Sequence, residues 1–121
     1  MYGFEYLKKF LREEGFRVNE KEGSFSFKYN RMIYSVPKEE NKYLVINMIC
    51  SVNNVDRGKL LEVCNSLNRD KFVLKFTVDS DDDVWCGYEF IPSERTTPDD
   101  FEDVFQSLDM ATDEMFARLK K

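Results

Sequence analysis

The residues best placed to do chemistry are the carboxylates of one short run, Asp79, Asp81, Asp82 and Asp83, with Glu89 a little further on. Asp79, Asp81 and Asp83 reproduce the alternate spacing of the first three ligands of an oxygen-donor calcium loop. The rest of such a loop is missing: Val84 stands at the sixth position, where a sharp bend needs Gly, and Phe90 at the twelfth, where a bidentate Glu completes the shell. The run therefore reads as a solvated hairpin turn whose carboxylates keep one end of a sheet in water. The alternative is a small-molecule sensor or enzyme built on Asp79 to Asp83 and Glu89. The sequence contains no histidine, which excludes Ser-His-Asp and Cys-His nucleophile systems and His-based metal sites. It has no GxGxxG and no GxxxxGK followed by Ser or Thr, so no phosphate-cradling loop is signalled and no cofactor or metal is expected. Cys50, Cys64 and Cys86 are odd in number and form no C-x-x-C, the pattern of reduced, buried thiols rather than of a disulfide frame or zinc site.

A second kind of site is a binding face. In the stretch 43–50, Leu44, Ile46, Met48 and Cys50 share one side of a strand while Tyr43, Val45 and Ile49 share the other, although a half-buried strand should be polar on its outer side. Val73, Trp85 and Ile91 fall on the corresponding outer side of a later hairpin. If these positions share a face, that face carries a scattered apolar and aromatic set of the kind that meets a partner. The competing reading is that loops or the last helix wrap over it, or that single exposed apolar residues need no explanation. Tyr43, Val45, Ile49, Val73, Trp85 and Ile91 are the candidate partner-binding residues.

Charge narrows the partner. The formal net charge of −5 and pI of about 4.8 repel phosphate backbones and anionic membrane surfaces. Lys28, Arg31 and Lys75 among aromatic strands suggest a base-stacking sheet, but FVLKFTV does not match the RNP pattern, and nucleic acid is not expected. The first residues, MYGFEYLKKFLREEG, intersperse Lys8, Lys9, Arg12, Glu13 and Glu14 with apolar positions, which no secretory core tolerates. Acids nearly cancel bases there, so the segment reads as a packed helix rather than a membrane-surface one. No run approaches the roughly 18 apolar residues of a membrane span. The expected location is the cytoplasm, with no membrane partner.

The elements that must position these residues follow from periodicity. Phe4, Leu7, Phe10 and Leu11 repeat at helical spacing and Gly15 supplies a left-handed stop, predicting a helix over 3–14. A short strand is expected over 16–19. Phe25, Phe27 and Tyr29 then alternate with Ser24, Ser26 and Lys28, the Asn30-Arg31 step turns the chain, and Met32, Tyr34 and Val36 return. A polar turn around 38–41 leads into the strand 42–50. A second helix should start near Asn53 or Asn54, carry Leu60, Val63, Cys64 and Leu67 inward, and end at Asn68 as a left-handed cap. Phe72, Leu74, Phe76 and Val78 are expected on the core side of the next strand, followed past the acidic turn by Val84, Cys86, Tyr88 and Phe90. Thr97 as cap, Pro98 at the first helical position and Asp99 and Asp100 in the first turn announce the last helix, which Arg118, Lys120 and Lys121 close with the complementary sign. At 121 residues the economical reading is one domain, 1–121. The expected fold is α+β: a largely antiparallel five- to six-stranded sheet with helices packed on one face, in the order α-β-β-β-β-α-β-β-α.

The block LLEVCNSLNRD, the strand KFVLKFTVD, the acidic turn and the strand VWCGYEF resemble the YbjN family. The likeness continues through a leading helix ending in EEGF, the hairpin SFSFKYNRMIYSV and a last helix introduced by TTPDDFEDVF. It implies a small bacterial cytosolic protein described for sensory transduction regulation, with a fold similar to type III secretion chaperones. Those relatives are small acidic homodimers that hold extended client segments. The resemblance carries no active site. It implies a noncatalytic protein-binding module, chaperone-like or a regulatory adaptor, that forms a homodimer and holds a peptide segment of a partner protein.

Overall fold

The computed structural model describes residues 3–38 and 43–121. Helix α1 (Phe4–Glu13) is followed by strands β1 (Asn19–Lys21), β2 (Ser24–Tyr29), β3 (Met32–Pro37) and β4 (Leu44–Ser51). Then come helix α2 (Arg57–Asp70), the hairpin β5 (Leu74–Val78) and β6 (Asp83–Phe90), and helix α3 (Pro98–Leu119). The strands form one six-stranded sheet in the order β1-β2-β3-β4-β6-β5, with every neighbouring pair antiparallel. The α+β class and the element order are those expected from periodicity.

One face of the sheet is dry. Phe25, Phe27, Tyr34, Val36, Leu44, Ile46, Met48, Cys50, Phe76, Val84 and Cys86 are buried on it, together with Leu7 and Leu11 of α1, the Leu60, Val63, Cys64 and Leu67 stripe of α2, and Phe101, Phe105, Leu108 and Met115 of α3. All three helices thus feed one core on one side. Its centre is aromatic: Phe27 stacks on Tyr34 at 5.1 Å, and Phe105 meets both rings. Asn30 and Arg31, both at positive φ, make the two-residue turn between β2 and β3, the geometry that matches the strands' twist. α3 begins where Pro98 fixes the first turn and the Asp100 carboxylate accepts from the Thr97 N–H at 2.8 Å.

Four local expectations are corrected. The first strand lies at 19–21, not 16–19, because Gly23 at φ +79 turns the chain just after Lys21 and sets Lys21 opposite Ser24. Phe16 instead fills the space beside Phe27 and Tyr29. The cap of α2 is Asp56, whose carboxylate accepts from the Lys59 N–H at 3.3 Å, rather than Asn53 or Asn54. Val55 and Leu60 have the spacing of a hydrophobic staple around that cap, and both pack in the core. Asn68 is not a left-handed cap. It lies inside α2, and its carboxamide accepts from the Phe76 N–H at 2.7 Å and donates to the Phe76 carbonyl at 2.9 Å. Phe72 is not in the core: it precedes β5 and is 90% exposed, next to Val73 at φ +58. Most of the expected turn at 38–41 lies outside the described residues.

Both edges of the sheet are blunted. β1 is three exposed polar residues, and its Glu20 accepts from Lys8 and Arg12 of α1, which hold its carboxyl down at about 2. On the other edge Asn68 occupies the outward backbone groups of Phe76 as a neighbouring strand would. Asn68→Ala should therefore cost roughly 1–3 kcal/mol in urea unfolding, because two backbone groups lose their partner. Asn68→Asp should not rescue it, since a carboxylate cannot donate to the Phe76 carbonyl. In the core, the buried Tyr34 hydroxyl has no hydrogen-bond partner among the described residues. Tyr34→Phe should leave stability unchanged or raise it by up to about 1 kcal/mol.

Candidate functional site

Because the helices take one face, alternate residues of every strand face the other way. On β4, β6 and the edge strand β5 these are Val45, Asn47 and Ile49 of β4, Trp85, Gly87 and Glu89 of β6, and Lys75 and Thr77 of β5, none of them buried. Register sets them in rows: Trp85 lies between Ile49 and Thr77, Gly87 between Asn47 and Lys75, and Glu89 opposite Val45. Gly87 makes a notch in the backbone surface that the Asn47 carboxamide fills. A Cβ placed there would lie 2.6 Å from Asn47 Oδ1, so the Asn47 carboxamide reaches across the space where a side chain would stand. Around the notch opens a groove of about 700 Å³, rimmed by Tyr43, Val45, Val73, Lys75, Trp85 and Glu89. That is within the roughly 300–1,000 Å³ range of small-ligand sites.

Trp85 is held in place by the acidic turn. Asp79 Oδ2 accepts from the indole N–H at 2.9 Å, while Oδ1 accepts from the backbone N–H groups of Asp81 and Asp83, each at 2.9 Å. Asp82 takes the positive φ that the turn requires, and Arg57 of α2 binds both the Asp79 carbonyl and the Asp82 carboxylate. The Trp85 N–H, then the Asp83 N–H, keep the Asp79 carboxyl below its usual range. These carboxylates line no part of the groove; Glu89 does. Lys75 and Glu89 carry opposite charges there, and neither has an ion-pair partner among the described residues.

Of the six residues singled out from sequence, Tyr43, Val45, Val73 and Trp85 come together around the groove, and Ile49 sits opposite Trp85 on the same face. Ile91 is separate. It lines a second cavity of about 450 Å³ with Tyr88, Phe90 and Arg95 near the start of α3. Sequence reasoning missed Gly87, Asn47 and Lys75; the glycine inside VWCGYEF was the available signal, since a strand interior has little other use for it. Cys50, Cys64 and Cys86 are free and buried among apolar side chains, and burial pushes the Cys50 thiol up to about 11 and Cys86 up to about 12. Thiols so strongly protonated at neutral pH are poor nucleophiles. No cluster of three or more metal-ligating side chains occurs among the described residues. No helix among them is long and apolar enough to cross a membrane.

The class so defined is an α+β domain with helices on one sheet face and a notched groove on the other. The family model of YbjN, described as "Putative bacterial sensory transduction regulator", matches residues 5–121, and the chain belongs to that family. Among solved structures it is similar to an uncharacterized protein from Methanothermobacter thermautotrophicus, at 16% identity and a TM-score of 0.68 over 96% of this chain and 95% of that one, a likeness of fold. No curated protein matches the sequence.

The Asp79 clamp has a pH signature. With its folded-state pKa depressed, its contribution to stability is present above the ordinary value near 3.8 and is lost only as pH falls through the lower, folded value. Trp85 is the sole tryptophan, so its emission should stay constant through pH 4 and change below it. Asp79→Asn should shift the emission already at neutral pH, because an amide N–H turned toward the indole N–H cannot accept from it.

Proposed function

We propose that this chain is a noncatalytic protein-binding module, chaperone-like or a regulatory adaptor, which dimerises and holds a peptide segment of a partner protein on its open sheet face. One observation carries the reading: a groove rimmed by Trp85, Tyr43 and Val45 and floored by the Asn47 carboxamide over Gly87, on the face that the helices leave uncovered. An apolar side chain of the partner would pack against the Trp85 ring and Val45, beside the Asn47 carboxamide that lies over Gly87, while Asn47 and Thr77 orient the neighbouring backbone. Docking is on the face rather than by strand addition, because Asn68 already occupies the Phe76 groups at the β5 edge. The family's description as a sensory transduction regulator supports a regulatory role. The chain acts as one domain in the cytoplasm, and nucleic acid and membranes are not its partners, in keeping with its net charge of −5.

A second reading is a small-molecule sensor. It is favoured by the groove's volume and by the charges of Lys75 and Glu89 on its rim, which suit an amphipathic or zwitterionic ligand. The Asp79 carboxylate is already committed to three donors, so Glu89 would carry the polar recognition in that case.

Trp85→Ala should retain the far-UV circular dichroism of the native chain and lose capture of its partner by roughly tenfold or more, as truncation of an aromatic anchor does. A photo-crosslinker at Val45, used in native extract, should recover one stoichiometric polypeptide, and Gly87→Val should abolish the adduct. Recovery of no polypeptide, with a small molecule co-purifying and lost on Glu89→Gln, would replace this reading with the second one.

A further inference from the structure

The groove has a complementary feature beside it on the same molecule. Phe72, between α2 and β5, is 90% exposed, the most exposed of the large apolar side chains described. The backbone next to it is strained: Val73 stands at φ +58, in the left-handed region that a β-branched residue avoids. That strained residue is itself on the rim of the Gly87 groove. On α3, Met110 is 72% exposed and lines a separate cavity with Lys71, Leu74 and Glu114. A projecting ring, an adjoining groove and two opposite charges on its rim, without an ion pair among the described residues, form a self-complementary set.

We propose that the first occupant of the Gly87 groove is Phe72 of a second copy of this chain. Two copies related by a two-fold axis beside Val73 exchange their Phe72 side chains, each seated against Trp85 and Val45 in the groove of the other. A two-fold contact makes every pairing occur twice, so Lys75 of each copy meets Glu89 of the other, and both signs in the groove are satisfied. The exchange also gives the strained Val73 conformation a use, because it aims Phe72 away from its own core. It rests on the reading that this groove accepts an apolar anchor. Its consequence is regulatory: the dimer is the resting, self-blocked form, and a client segment must displace Phe72, so the second copy and the client compete for one groove.

The test uses the full chain, with sedimentation and Trp85 emission followed together across protein concentration. The mass should double as concentration rises, with a parallel blue shift as Phe72 covers the indole. Phe72→Ala should weaken association roughly tenfold or more and abolish the shift, with circular dichroism unchanged. Lys75→Glu should also dissociate the dimer, and adding Glu89→Lys to it should restore association, a result that requires no core residue to change. A wild-type chain that stays monomeric, a Phe72→Ala chain that associates as tightly as wild type, or a charge swap that restores nothing would each overturn the proposal. If Phe72→Ala leaves the dimer intact while Trp85→Ala still abolishes partner capture, the exchange is wrong and the groove's binding role stands. If Trp85→Ala affects neither dimer nor capture, both fall.

Discussion

The surface of this protein depends on one constraint: among the described residues, three helices cover one face of a six-stranded sheet and none covers the other. A strand alternates its side chains between two environments, so each strand here must serve a dry core on one side and an open surface on the other. β2 meets the constraint in the ordinary way, with Phe25 and Phe27 inward and Ser24 and Ser26 outward; β3 buries Tyr34 and Val36 and turns Ser35 and the exposed Ile33 outward, and β1 is polar and exposed throughout. β4 and β6 do not. They place Val45, Ile49 and Trp85 on the open side, around a glycine, with Val73 just before β5 on the same rim. Ile33, opposite Ile49, extends the apolar set onto β3.

The open half is built rather than merely uncovered. Trp85 is fixed by an indole N–H bond to a carboxylate whose other oxygen closes the hairpin turn, and that turn is tied to α2 through Arg57. Asn47 reaches across Gly87. Asn68 seals the adjacent edge by standing in for a strand. These polar contacts hold the rim, floor and margin of the groove in fixed relation, which lowers the ordering cost a ligand would otherwise meet on docking. The same turn that suggests a cation site from its spacing therefore serves as a positioning element for an aromatic ring.

The fold was legible because its signals are local. Alternation in β2 and β3, the Asn30-Arg31 turn, the α2 stripe from Leu60 to Leu67 and the Thr97-Pro98 start of α3 are each set by neighbouring residues. The boundaries were less so. Asn53, Asn54 and Asp56 are chemically alike as caps, and only the packing of Val55 and Leu60 selects Asp56. Phe72 continues the alternation of β5 perfectly well in sequence, but the positive φ at Val73 breaks the strand before it begins. For the site, Tyr43, Val45 and Trp85 were visible as apolar residues of the wrong parity. The notch was not, since it arises from the register that puts Asn47 opposite Gly87, a pairing between distant stretches of chain. Ile91 shares the parity of Trp85 but lies past the end of β6, where the sheet no longer dictates direction.

Membership of the YbjN family and a fold shared with a solved structure of low identity place the architecture. The central claim is that partners bind the open sheet face and leave the helical layer untouched. Hydrogen exchange of the full chain, alone and with its captured partner, tests that most directly. The account predicts new protection confined to β4, β5 and β6, at 44–51, 74–78 and 83–90, with α2 and α3 unchanged. Protection that appears instead on the outer surfaces of α2 and α3, with the central strands unchanged, would contradict it.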